Sequence, residues 1–322
     1  MTDFFVHFVS LQFFFVPQNG PLPIPMTNDY LFRALLQQNN NVLKGLISSL
    51  LHLHDTEISS VAITNPIELG RSTDEKTFIL DISIVLNDSA LINLEMQVIN
   101  FHDWTDRSLS YLCRKFDHLK KGEPYRNLKP VIQISLLNFT LFPEHPEFYA
   151  TYKLLNVKSH MLYSDKLQLS VLDLTRIDLA TTEDREFHID YWASLFNAST
   201  WEELYMLAKN NKYIKEASET IYQLTQDEQI REQCEAREDY YRRMQGMDDM
   251  LAEKDAALAE KLAALAEKDN ALAEKSAALV EKDTALAEKN AALAEKDDTI
   301  NEQAALIADL KAQLARYQGN KG

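Results

Sequence analysis

Between Asn28 and about Leu53 the apolar residues fall three or four apart (Leu31, Leu35, Leu36, Val42, Leu43, Leu46, Ile47, Leu50), which predicts one amphipathic helix. The period then drops to two. Phe78–Leu86 and Leu91–Ile99 alternate apolar and polar positions around Asn87-Asp88-Ser89, the pattern of a β-hairpin. Helical spacing returns from Trp104 to about Lys121, with Asp103 placed to cap its start and Gly122 and Pro124 to end it. Pro130–Phe142, Phe148–Val157 and Leu167–Ile177 read as further strands, and Asp184 to about Arg243 as helical again. A helix, a hairpin, a second helix and another strand in that order predict an α/β fold, not a barrel or a bundle.

From Leu251 onward the pattern becomes a repeat: Leu or Ile returns every seventh residue as far as Leu314, among Ala, Glu and Lys. These residues favour helix strongly, and a strict seven-residue period keeps one stripe aligned only if helices supercoil left-handedly. The seam is poor. With leucine at d, position a holds Asp255, Leu262, Asp269, Ser276, Asp283, Asn290 and Asp297, where stable dimers carry Ile or Val. A marginal coiled coil, making a homo-oligomer through 251–316, and a single solvated helix both remain open. The chain therefore divides into an extension (1–21), an α/β domain (22–183), a helical region (184–250), the heptad helix (251–316) and a short tail (317–322).

Composition narrows the function classes. Hydrophobic residues at 46% with 25% charged exclude wholesale disorder. A net charge of −16 argues against general coating of nucleic acid or acidic membrane, while leaving room for a local basic face. Seven glycines, none in a GxxxxGK[ST] or GxGxxG run, exclude a P-loop or dinucleotide fingerprint. Two cysteines, Cys113 and Cys234, are too few for a disulfide framework or a cysteine zinc site and suit a reducing, cytoplasmic setting. Cys113 lies in an apolar helical stripe and is expected in the core. His52, His54 and His102 lack metal-ligand spacing. The apolar run Phe4–Val16 is too short to span a bilayer and has no basic flank, so it reads as an extension, with no stable membrane association.

The hairpin carries the candidate chemistry. Asp81 and Ser83 share the polar face of its first arm, and Asn93, Glu95 and Gln97 that of its second, so a tight turn at 87–89 sets Asp81 opposite Glu95. Opposed positions lie with Cβ atoms about 4.5–5.5 Å apart, and like charges there repel. A divalent cation with oxygen ligands resolves that conflict, and Mg²⁺ suits few carboxylates with waters and phosphate. The Met96 carbonyl, between the two functional side chains, is a further candidate ligand. Each of these residues alone would ordinarily be a solvated strand face. On the following helix Arg107, Tyr111, Arg114 and Lys115 share a face that either contacts phosphates or is simply solvated.

Four segments in order, TNDYLFRALL (27–36), LDI (80–82), LEMQ (94–97) and RSLSYLCRKFD (107–117), closely resemble the recombination-promoting nuclease/transposase (Rpn-like) family of the PD-(D/E)XK nuclease superfamily, over roughly Leu22 to Tyr240. The resemblance implies a restriction-endonuclease-like αβββαβ core that hydrolyses DNA with Mg²⁺, or Mn²⁺ in its place. It makes Asp81 the metal-binding aspartate and Glu95 the second acidic ligand, with Gln97 where the superfamily most often has lysine. An amide orients water but is no base near neutral pH. Asp29 would match an additional helical acid, and Lys76 could reach a phosphate. The resulting expectation is a Mg²⁺-dependent DNA endonuclease. Its alternative is a nuclease-fold scaffolding protein with an idle site, assembling through the heptad tail. RNA as substrate stays open.

Overall fold

The computed structural model describes residues 16–67, 69 and 81–319. Lys76, the start of the hairpin's first arm (78–80), nearly all of the apolar run 4–16 and the chain's last three residues lie outside them.

The helix expected over 28–53 is two helices, α1 (Asp29–Gln38) and α2 (Asn40–Leu50). Asn39 separates them: it closes α1 and caps α2, its side chain accepting from the Asn41 and Val42 N–H groups. Asn28 caps α1 in the same way through Tyr30 and Leu31. The short strand β1 (Val61–Ile63), too brief to show a period, was not expected. The hairpin consists of β2 (Ile82–Leu86) and β3 (Ala90–Gln97). At its turn the Leu86 carbonyl accepts the Ser89 N–H at 3.0 Å. Asn87 and Asp88 both hold positive φ (51° and 53°), as a type I′ turn requires and as these two residue types tolerate well.

Three more strands, β4 (Val131–Leu137), β5 (Tyr149–Lys153) and β6 (Leu167–Asp173), are shorter than the apolar runs that predicted them. Together the strands form one mixed sheet in the order β1-β2-β3-β4-β6-β5. The β3–β4 and β4–β6 pairs are parallel and the others antiparallel. A parallel neighbour demands a crossover, and helix α3 (Trp104–Phe116) supplies it between β3 and β4. It ends five residues before Lys121, and Asp103 stands at its start without making a side-chain cap bond.

The two sheet faces differ in kind. One is wholly apolar (Ile82, Ile84, Ile92, Leu94, Met96, Ile134, Leu136, Leu172) and joins the main core with residues of α1, α2, α5 (Ile189–Asn197), α6 (Trp201–Ala208) and α7 (Lys212–Gln226). The other lies under α3, where Trp104 packs on Leu137 and Val171. The inward stripe of α3 is Trp104, Ser108 and Leu112. Cys113, one step round the helix, is exposed, contrary to the expected core position.

Beyond the five-residue helix α4 (Thr182–Glu186) and helices α5–α7, α8 runs from Glu228 to Gly319. The described residues up to Gln245 and those from Gly246 onward form separate compact units. In the second unit the repeat leucines, from Leu251 to Leu314, stay more than half exposed. Among the described residues no helix is long and apolar enough to cross a membrane.

Candidate active site

Ile82 pairs with Leu94 and Ser83 with Asn93 in the β2–β3 register. Continuing that register by one step would set Asp81, just before β2, opposite Glu95, and the Asp81 charge does act on the Glu95 carboxyl. Across β3 and β4, Asn93 pairs with Gln133, Glu95 with Ser135 and Gln97 with Leu137. Because side chains alternate, these residues share the face beneath α3 with Asp81 and Ser83. This is not a solvated strand face. Asn93, Glu95, Gln97, Gln133 and Ser135 are all buried, Glu95 at 6% exposure, and only the outer members Asp81 and Ser83 are half-buried.

Burying polar groups is costly unless they find partners, and here some do not. Asn93 Nδ2 donates to Gln133 Oε1 at 3.0 Å. Gln97 Nε2 donates to the Ile99 carbonyl at 2.8 Å. Glu95 Oε1 accepts from Arg107 of α3 in an ion pair, but Glu95 Oε2 and the neighbouring Ser135 Oγ are buried with no hydrogen-bond partner. Burial pushes the Glu95 carboxyl up to about 7; Arg107 opposes that shift, and the charges of Asp81 and Asp29 add to it.

The surrounding framework is cationic. Arg33 of α1, 1% exposed, donates to the Asp81 carbonyl at 2.6 Å and to the Asn65 carbonyl. Asn65 also holds this corner, donating to the Asp81 carbonyl at 3.0 Å and accepting the Ser83 N–H at 2.8 Å. These bonds anchor the backbone of Asp81 and leave its carboxylate out of the network. Lys115 of α3 donates to Ser83 Oγ, and burial lowers its pKa while Asp81 raises it. The expected basic face is thus turned partly inward: Arg107 donates to Tyr111 (3.2 Å) as well as Glu95, Lys115 reaches Ser83, and only Arg114 of the four is fully exposed. Identical helical spacing describes a face toward solvent and a face toward a polar sheet, so the sequence could not separate them.

Asp29 is buried at the start of α1, and Arg237 of α8 grips both of its carboxylate oxygens. Arg237 also donates to Tyr241 (3.2 Å) and lies over the Tyr240 and Tyr241 rings, 5.0 and 4.9 Å from their centres. Asp29 is therefore a paired carboxylate close enough to raise Glu95, not an open ligand. Sequence reasoning missed Arg33, Asn65 and Arg237. All three act through pairings distant in sequence that leave no periodic signal.

The sequence model of one family, the PD-(D/E)XK nuclease family transposases, matches residues 26–249. The chain belongs to that family. No curated protein and no solved structure matches it. The match takes in every residue of the network above, from Asp29 to Arg237, and ends where the heptad repeat begins. PD-(D/E)XK nucleases generally use divalent metals, and the donors present fit one. Glu95 Oε2 is a buried carboxylate oxygen without a partner. The Gln97 carbonyl accepts the Asn138 N–H at 3.0 Å on the β4 side. Strand alternation therefore directs the Met96 carbonyl to the opposite edge, the β2 side where Asp81 lies. Among the described residues no three Asp, Glu, His or Cys side chains cluster as a metal-binding group. Such a site would have two carboxylates and a carbonyl, the rest of its shell being water and phosphate, which is how Mg²⁺ is commonly held.

Proposed function

We propose that the chain is a metal-dependent DNA endonuclease of the recombination-promoting type, hydrolysing phosphodiester bonds with Mg²⁺ or, in its place, Mn²⁺. The observation that carries this reading is the buried, unpartnered oxygen of Glu95 near Asp81, on a buried polar sheet face beneath α3. Asp81, Glu95 and the Met96 carbonyl would hold the cation, which when bound acts as Lewis acid and lowers the pKa of a coordinated water. Arg107 holds Glu95 in one orientation and offsets its buried charge. Gln97, anchored on Ile99, can orient a water but cannot take its proton. Arg114, exposed on α3, would contact the DNA backbone. Asp29, held by Arg237, would support the site only indirectly, since its charge raises the Glu95 pKa and it offers no open ligand. Lys76 remains a candidate phosphate contact.

A second reading is favoured by one feature: Glu95 is already engaged by Arg107, so the fold stands without metal. The protein would then be a scaffold with an idle site, assembling through 251–316. Purified full-length protein incubated with supercoiled plasmid, with and without Mg²⁺ and beside Asp81→Ala, separates the two. Mg²⁺-dependent nicking lost in the variant supports the nuclease; no nicking under any condition supports the scaffold. A parallel incubation with structured RNA decides the substrate class.

A further inference from the structure

Hydrolysis of a phosphodiester places extra negative charge on the non-bridging oxygens as water adds to phosphorus, and a preorganised cation at that point stabilises the transition state. Among the described residues, Arg33, Arg107, Arg237 and Lys115 are coupled to the Asp81–Glu95–Asp29 cluster. Three of them are bound to anionic or carbonyl oxygens of the protein: Arg33 to the Asp81 and Asn65 carbonyls, Arg107 to Glu95, Arg237 to Asp29. Lys115 differs. Among the described residues it bonds only the Ser83 hydroxyl, two residues from Asp81 on the same strand face. A hydroxyl is a weak, exchangeable partner for an ammonium that has three hydrogens to donate. The half-buried lysine is thus held against the rim of the site with donor capacity to spare, while Gln97 at the centre carries no charge.

We infer that Lys115 is a catalytic residue of the proposed nuclease, its ammonium leaving Ser83 to donate hydrogen bonds to a non-bridging oxygen of the scissile phosphate. This rests on the nuclease reading above. The balance of the step is that of simple hydrolysis. Water forms one P–O bond, one P–O ester bond breaks, the water's proton passes to solvent, and the departing oxygen takes a proton from solvent. Lys115 keeps its proton throughout. Ser83 parks the ammonium on the rim of the site when no phosphate is present.

The test uses the full chain, Mg²⁺ and single-turnover cleavage of a plasmid. Lys115→Ala should lower the rate at saturating DNA by on the order of 100-fold, with little change in the DNA concentration giving half-saturation. Lys115→Arg should recover part of that loss. Adding Gln97→Lys to Lys115→Ala should also recover part of it, because it returns a cation to the same sheet face. Lys115→Met, which keeps the aliphatic stem, covers the case in which the alanine variant folds poorly. Independently of turnover, a duplex oligonucleotide in metal-free buffer should protect Lys115 of the wild type from amine acylation, read by mass spectrometry. An unchanged saturated rate with weakened half-saturation would make Lys115 a mere binding contact and overturn the inference, as would unprotected labelling. These outcomes leave the nuclease reading standing. Cleavage that survives Asp81→Ala removes the nuclease site itself, and the inference with it.

Discussion

Removing Arg237 should unfold the α/β unit at markedly lower denaturant. Its guanidinium and the Asp29 carboxylate are each 7% exposed and meet through two hydrogen bonds. At roughly 4 Å and an effective dielectric constant of about 20 the pair attracts by about 4 kcal/mol. Deleting one partner of such a buried pair costs about 3–5 kcal/mol, because the other charge stays buried alone. The Tyr241 bond and the two tyrosine ring contacts are lost as well. With a urea dependence of about 2 kcal/mol per molar, Arg237→Ala should shift the midpoint down by roughly 1.5–2.5 M. Tryptophan fluorescence is the natural readout, since buried Trp192 and Trp201 lie in the same unit. A double-mutant cycle with Asp29→Asn should return a coupling of at least about 2 kcal/mol. Additive effects, or a loss below about 1 kcal/mol for Arg237→Ala, would refute the claim that this pair anchors α8 to the start of α1.

Three further outcomes follow from the same geometry. Glu95 has a folded-state pKa raised from 4.5 to about 7, so the folded metal-free protein binds the extra proton and its stability should fall as pH rises from about 4.5 to about 7, by up to about 3 kcal/mol; saturating Mg²⁺ should flatten the upper part of that decline, and a Glu95→Gln profile identical to wild type would contradict the assignment. Arg114→Ala should reduce the slope of log DNA affinity against log salt by about one unit, and an unchanged slope would make Arg114 a solvated residue only. A chain ending at Met250 should keep cleavage per subunit and lose self-association, which in the full chain should strengthen at low pH as Asp255, Asp269, Asp283 and Asp297 protonate; strictly monomeric full-length protein at pH 5 in sedimentation runs would exclude the coiled coil.

The elements legible in the sequence are those with local signals. Period-two alternation with an Asn-Asp turn fixes the β2–β3 register, since a one-residue slip would turn every apolar side chain out of the core. That register in turn brings Asp81 to Glu95. The break at Asn39 was within reach, because an asparagine followed by two more asparagines is a poor helix interior and a good cap. Apolar periodicity continues across it, which hid the break. The direction of the α3 basic face was not legible, nor was the exposure of Cys113. Both depend on which side of the helix meets the sheet, and Trp104, Ser108 and Leu112 decide that by packing. The buried partners Arg33 and Arg237 belong to the same class. Nothing near them in the chain marks an arginine that will pair with a carboxylate or carbonyl tens or hundreds of residues away.

The central claim is that Asp81 and Glu95 form one metal-dependent site. The measurement that meets it most directly is the nicking rate of supercoiled DNA by full-length wild type, Asp81→Asn and Glu95→Gln at saturating Mg²⁺, each sample first shown by its unfolding curve to be folded. The account predicts Mg²⁺-dependent nicking by wild type and loss of at least about 100-fold in both variants, the scale expected when a metal's charge stabilisation is withdrawn. Nicking by either folded variant at the wild-type rate would contradict it.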